Sequence, residues 1–178
     1  QRGVACAGED RNEEAAELFR QAVALDPGHG QAHANLGAML RRLGRMEESL
    51  AAYEAGLLRA PEHPALYANL ANLLIAVLDR PAEAVPHLRR LAELQPANVQ
   101  AHANLATVLR RLDRPAEAEP HLRRLAELQP DDPQPYFDLG AVLQGLGRIE
   151  EAMAACETGL ALAPDHAGLR GELAKLLA

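Results

Sequence analysis

Prolines fall at Pro27, Pro61, Pro96, Pro130 and Pro164, at intervals of 34, 35, 34 and 34 residues, in a chain of 178. Punctuation this regular means stacked copies of one small unit rather than a single globular core. Each interval reads helix, turn, helix, and with each proline numbered position 32 the intervals align. Position 7 holds Leu36, Leu70, Leu105 and Leu139, position 8 holds Gly37, Ala71, Ala106 and Gly140, and position 20 holds Ala15, Ser49, Ala84, Ala118 and Ala152. A large apolar residue at 7 with small ones at 8 and 20 lets two antiparallel helices approach closely and stack on the next pair. Strand-like alternation occurs nowhere, so the chain is expected to be all-α.

Turn chemistry supports the same frame. The first helix of each unit should end near position 15, where Gly44 and Gly147 suit a left-handed cap and Asp10, Asp79 and Asp113 tolerate one. Pro81 and Pro115 fall where a second helix begins, Asn98 and Asp132 are N-cap candidates, and Pro64 and Pro133 suit first helical positions.

Position 24 is bulky (Phe19, Tyr53, Leu88, Leu122, Cys156), and position 4 carries Tyr67 and Tyr136, or His33 and His102. Together with the columns above, this resembles the tetratricopeptide repeat (TPR) over essentially the whole chain. The resemblance implies a right-handed superhelix, an α-solenoid. Its parts would be a partial repeat over 1–29, repeats over 30–63, 64–98, 99–132 and 133–166, and a terminal helix over 167–178. Gln1 falls at position 6 and Ala167–Ala178 matches positions 1 to 12, so the sequence is expected to be a piece of a longer protein.

The formal net charge is −7 with 3% aromatic residues, which argues against a nucleic-acid surface; that needs a basic stripe and usually stacking rings. Nothing in the sequence is long and apolar enough to insert in a membrane. Cys6 and Cys156 sit at opposite ends of the array and should not pair, as expected of thiols in a reducing, cytoplasmic compartment. A leader or anchor ahead of Gln1 is left open.

Two stretches are near copies: Arg80–Pro96 and Arg114–Pro130 differ at one position. Both carry a proline inside the second helix, Pro86 and Pro120, at a backbone cost of about 3 kcal/mol. Both also carry a leucine at position 27, Leu91 and Leu125, where TPR repeats usually have a small residue. The expectation is that these helices kink or shift register to seat it. The 35-residue interval has its extra residue within Ala71–Leu78, expected as a looser last turn or a bulge.

The resemblance assigns positions 2, 5, 6, 9, 12 and 13 of the first helices (A helices) to a concave groove. Position 6 carries Asn35, Asn69, Asn104 and then Asp138. An amide offers two donors and an acceptor, so one per repeat can grip successive peptide groups of an extended chain. The column is similar to the asparagine ladder in the TPR region of O-GlcNAc transferases. The alternative is that these amides bond to neighbouring groups or water. A carboxylate clamp of the kind that captures chaperone C-termini is matched by Asn72 and Asn104. It lacks its cations, because Ala68, Gln134 and Asp138 stand in their places. Arg41 with Arg42, and Arg110 with Arg111, suggest a basic groove edge and acidic peptide ligands, or else only helix-end solvation. Ile75 and Ala76 stand in that place in the third repeat, as an apolar gap for a ligand side chain. Arg89, Arg90, Arg123 and Arg124 read as a solvated face.

The histidines (His29, His33, His63, His87, His102, His121, His166) are spaced by whole repeats, without the spacing of a zinc site. No nucleophile elbow, phosphate loop or HExxH motif is present, so this chain is expected to be non-catalytic and to need no cofactor. The function expected is a protein-interaction module holding an extended polypeptide in the groove. The alternatives are the substrate-recruiting region of a larger enzyme such as a bacterial glycosyltransferase, or a scaffold that self-associates through terminal repeats, with Leu173 and Leu176 in the contact.

Overall fold

The computed structural model describes the backbone of residues 2–177 and the side chains of residues 11–177. The described residues form ten helices and no strand: α1 (Arg2–Leu25), α2 (Gly30–Arg42), α3 (Met46–Arg59), α4 (Pro64–Ala76), α5 (Pro81–Leu94), α6 (Val99–Arg111), α7 (Pro115–Leu128), α8 (Pro133–Gly145), α9 (Ile149–Leu162) and α10 (Ala167–Leu176). They group into two compact units, Gln1–Gln95 and Pro96–Ala178.

From α2 onward, local residues account for many of the helix ends. Pro64, Pro81, Pro115 and Pro133 open their helices, at the position where a missing N–H costs nothing. Asn98 Oδ1 accepts from the Ala101 amide at 3.0 Å and Asp132 Oδ1 from the Gln134 amide at 2.9 Å. His29 and His166, at the same repeat position, cap through Nδ1 instead, at 3.3 and 3.1 Å. The turns within repeats are left-handed at Gly44 and Gly147 (φ 74°), Asp79 (52°) and Asp113 (55°).

Asp10 departs from this pattern, because α1 runs through it without a break. Asp79 and Asp113 are each followed by Arg-Pro, and a proline pushes the residue before it out of the helical region. Arg80 and Arg114 duly sit at φ −116° and −120°. Asp10 is followed by Arg11-Asn12, which imposes no stop. With no turn there, α1 packs on α2 through Ala16, Phe19 and Val23. The buried alanine is therefore Ala16, not the expected Ala15.

The small columns do what their size predicts. Ser49, Ala84, Ala118 and Ala152 are fully buried, and Ser49 Oγ donates to the Gly37 carbonyl at 2.7 Å. A methyl on Gly37 would collide with the Tyr53 ring, and one on Gly140 would lie 2.7 Å from Cys156 Sγ. The extra residue lengthens one turn: α4 has 13 residues like α2, and the Arg80 amide reaches back to the Leu74 carbonyl at 2.8 Å.

Helices α5 and α7 run uninterrupted through Pro86 and Pro120 over 14 residues, the length of α3 and α9. Leu91 and Leu125 are buried nonetheless. Across the repeat boundary, bulk at position 27 goes with a smaller residue at position 3 of the next helix. Where position 27 is glycine (Gly56, Gly159), position 3 of the next helix is a buried leucine (Leu66, Leu169), and where it is Leu125, position 3 is Pro135. An ideal Cβ on Gly56 would lie 2.8 Å from Leu66 Cδ2, and one on Gly159 2.7 Å from Leu169 Cδ1. Close-packed interiors tolerate bulk on one side only when it is given up on the other.

Candidate functional site

Position 6 lies half-buried on each A helix: Asn35 and Asn69 in the first unit, Asn104 and Asp138 in the second. Helical spacing puts position 2 directly before it. Gln31 Nε2 donates to Asn35 Oδ1 at 2.9 Å, Gln100 Nε2 to Asn104 Oδ1 at 2.7 Å, and Gln134 Nε2 to Asp138 Oδ2 at 3.0 Å. The amide carbonyls of Asn35 and Asn104 are thus occupied within their own helices. Asn69 has Ala65 four residues back and no glutamine to receive. In α10 the column continues as Glu172, which is buried and ion-paired with Lys175 Nζ at 2.9 Å.

The four arginines at the ends of α2 and α6 differ. Arg41 and Arg42 are exposed at the end of α2, where no described carboxylate forms an ion pair with them. Arg110 Nη1 donates to Asp138 Oδ1 on the next A helix, which balances the charge there. Arg111 is exposed beside it, and Asn72 is exposed on α4.

Between α6 and α8 lies a recess of about 150 Å³. Ala103, Thr107, Arg110, Gln134 and Asp138 line it from the two A helices, and Leu122 and Leu125 from α7. Helix α10 packs on α8 as well as α9, and α4 on α2 as well as α3, whereas α6 and α8 approach each other less closely.

Several arginines on or beside the B helices, the second helices of the repeats, are tied down. Arg123 and Arg148 form a four-cornered network with Glu119 and Glu151 across α7 and α9, with contacts of 2.6 to 2.9 Å. Arg148 donates to Glu151 and holds its carboxyl below the usual range. Arg90 pairs with Glu93, and Arg124 with Glu127.

At Tyr67, His33 and His102, though not at Tyr136, position 4 has a structural duty that sequence reasoning missed. Tyr67 Oη donates to the Pro61 carbonyl at 2.8 Å, and His33 and His102 place Nε2 at 3.1 and 3.2 Å from the Pro27 and Pro96 carbonyls. Each spans six residues back to the repeat-closing proline, so the recurring spacing was the available signal. His102 Nδ1 also meets His121 Nδ1 at 3.1 Å. With Nε2–H given to Pro96, His102 Nδ1 is the acceptor and His121 the donor. His87, the counterpart of His121, lies against Tyr67, with ring centroids 6.1 Å apart.

Among the described residues, no group of three or more His, Cys, Asp or Glu side chains is placed to hold a metal ion. Within the same bounds, no helix is long and apolar enough to cross a membrane. Cys156 is buried, and that burial, followed by Glu172 and Glu157, pushes its thiol up. Cys6 lies outside the described side chains. Leu176 packs against the α8–α9 core and Leu173 is half-buried.

The tetratricopeptide repeat family model matches residues 7–74 and 78–143, and a second model of the same description matches residues 133–166. The chain belongs to the tetratricopeptide repeat family. Solved TPR structures share its fold. YrrB, a TPR protein with an unusual peptide-binding site, superposes with a TM-score of 0.74 at 24% identity, over 90% of this chain and 82% of YrrB. MamA superposes at 0.70 and 16% identity, over 93% and 90% of the two chains. MamA from Desulfovibrio magneticus RS-1 superposes at 0.65 and 20%, over 91% and 83%. No curated protein matches the sequence. The fold class is therefore the all-α TPR solenoid, generally a protein-interaction module.

Proposed function

We propose that this TPR chain binds extended polypeptide segments on the face formed by its A helices, with no chemistry of its own. The observation that carries this reading is the recess between α6 and α8. Ala103, Thr107, Arg110, Gln134 and Asp138, which help to line it, stand at the positions where the family resemblance puts a ligand. The peptide-binding site stated for YrrB is in keeping with it.

The position-6 residues divide the work. Asn69 offers both its carbonyl and its amino group to a peptide unit, while the carbonyls of Asn35 and Asn104 are held by glutamines. A peptide amide grasped this way is recognised without regard to its side chain, which suits a rigid scaffold recruiting varied flexible partners. Arg41 and Arg42 favour acidic residues in the segment lying on the first unit.

The test is a diverse peptide display library screened against the chain, with an Asn69→Ala/Asn104→Ala double variant alongside. Peptides that bind the parent and lose affinity on the variant establish the reading. Peptides indifferent to the change, or none, overturn it.

A further inference from the structure

Within the second unit, two successive A-helix pairs are spaced by different residues. At the α8–α10 pair, α9 contributes Gly159, where an added methyl would lie 2.7 Å from Leu169 Cδ1 and 3.1 Å from Tyr136 Cβ. At the α6–α8 pair, α7 contributes Leu125, buried to 5% exposure, with the compact Pro135 opposite. Leucine acts here as a wedge: it occupies the space the A helices would otherwise close, and the recess of about 150 Å³ opens beside it.

The floor and inner wall are apolar, made by Ala103, Ala106, Leu122, Leu125 and Pro135. A volume of about 150 Å³ has room for a guest the size of benzene. At the mouth Arg110 donates to one Asp138 oxygen and Gln134 Nε2 to the other at 3.0 Å, and the Asp132 carboxylate, which accepts from the Gln134 amide, also lines the recess. An anionic ligand side chain finds no unanswered cation there. A neutral peptide unit does find complementary charge, with guanidinium N–H groups for its carbonyl and a carboxylate for its N–H.

We propose that this recess is a specificity pocket taking one uncharged apolar side chain, of leucine to phenylalanine size, from the bound polypeptide. The proposal rests on the groove reading above and adds its side-chain selectivity. It places the apolar seat between α6 and α8, floored by Leu125, rather than at Ile75 and Ala76. It also makes the second unit a reader of shape, while the exposed Arg41 and Arg42 of the first read charge.

The experiment uses peptides enriched from the display library on the full chain. One peptide position is expected to be confined to Leu, Ile, Met or Phe, and its replacement by alanine to weaken binding at least about tenfold. Ala103→Leu, which fills the recess from its half-buried wall, should abolish the distinction between leucine and alanine there. Methyl resonances of Leu122 and Leu125 in the unmodified chain should move on adding the peptide, a readout that needs no variant to fold.

Peptides that depend on Asn69 but tolerate alanine at every position, leave those methyls unmoved and bind Ala103→Leu equally well would overturn the pocket and leave the groove reading standing. A screen that yields no peptide removes both.

Discussion

Helices α7 and α9 occupy equivalent places in successive repeats and have the same length, yet they space their neighbours by opposite means. On α9, Gly159 lets the leucine of the following helix come in, and α8 and α10 pack together. On α7, the buried Leu125 stands where α9 has glycine, position 3 of the next helix is Pro135, and α6 and α8 stand apart around a recess. One architecture thus produces a closed junction and an open one by trading a single side chain's volume across a boundary. The trade, and not the helix geometry, decides where a ligand has room.

The most severe way to break this contrast is Gly159→Leu, which would force the α7 arrangement onto the closed junction. Overpacking of this kind should cost about 3 kcal/mol, and Leu169→Ala in the same chain should recover at least about 1 kcal/mol of it. A double-mutant cycle by urea denaturation measures the coupling; strict additivity would mean that the two positions do not exchange volume.

The reverse change, Leu125→Ala, should destabilise by about 2 kcal/mol. That is the low end of the range for leucine truncation, because the side chain already borders open space. A loss near 5 kcal/mol would show a closed site. Proline separates the same pair of helices: α7 carries Pro120 in its interior and α9 does not. Pro120 is exposed, so Pro120→Ala restores a backbone hydrogen bond without losing packing and should raise stability by about 1 kcal/mol. An unchanged or lower denaturation midpoint would show that the helix has adapted fully to its proline.

The smallest effect expected is on pH dependence. Burial holds the His87 imidazole below its ordinary 6.5, partly offset by Glu54 and Glu83. The unfolded chain therefore takes up this proton first. The stability associated with neutral His87 is whole above pH 6.5 and declines as the pH falls from there through the lower folded value. Denaturation midpoints at pH 7.5 and 5.5 should differ less in His87→Gln than in the parent.

Features set by residues close in sequence were legible beforehand. The proline period, the caps at Asn98 and Asp132, the turns at Gly44, Asp79, Asp113 and Gly147, and the small columns at 8 and 20 each follow from local sterics or hydrogen bonding. Asp10 misled because its type matched the turn while its successors lacked the proline that enforces one. The glutamine-to-position-6 bonds were within reach, since Gln31 and Asn35, Gln100 and Asn104, and Gln134 and Asp138 are each four residues apart. Other features need the contact before they have meaning. Leu125 and Pro135 are ordinary residues until one knows that they line the same recess, and Arg110 meets Asp138 only because a whole repeat folds between them.

The volume exchange also bears on how such a chain can be lengthened or reshuffled. A repeat copied from proline to proline carries its position 27 with it but inherits whatever position 3 its new neighbour supplies. Leucine set before Leu66 or Leu169 would clash, and glycine set before Pro135 would leave a void. The unit that transposes safely therefore runs from one B helix to the next, with its seam inside a helix and not at the turn that so visibly divides the sequence.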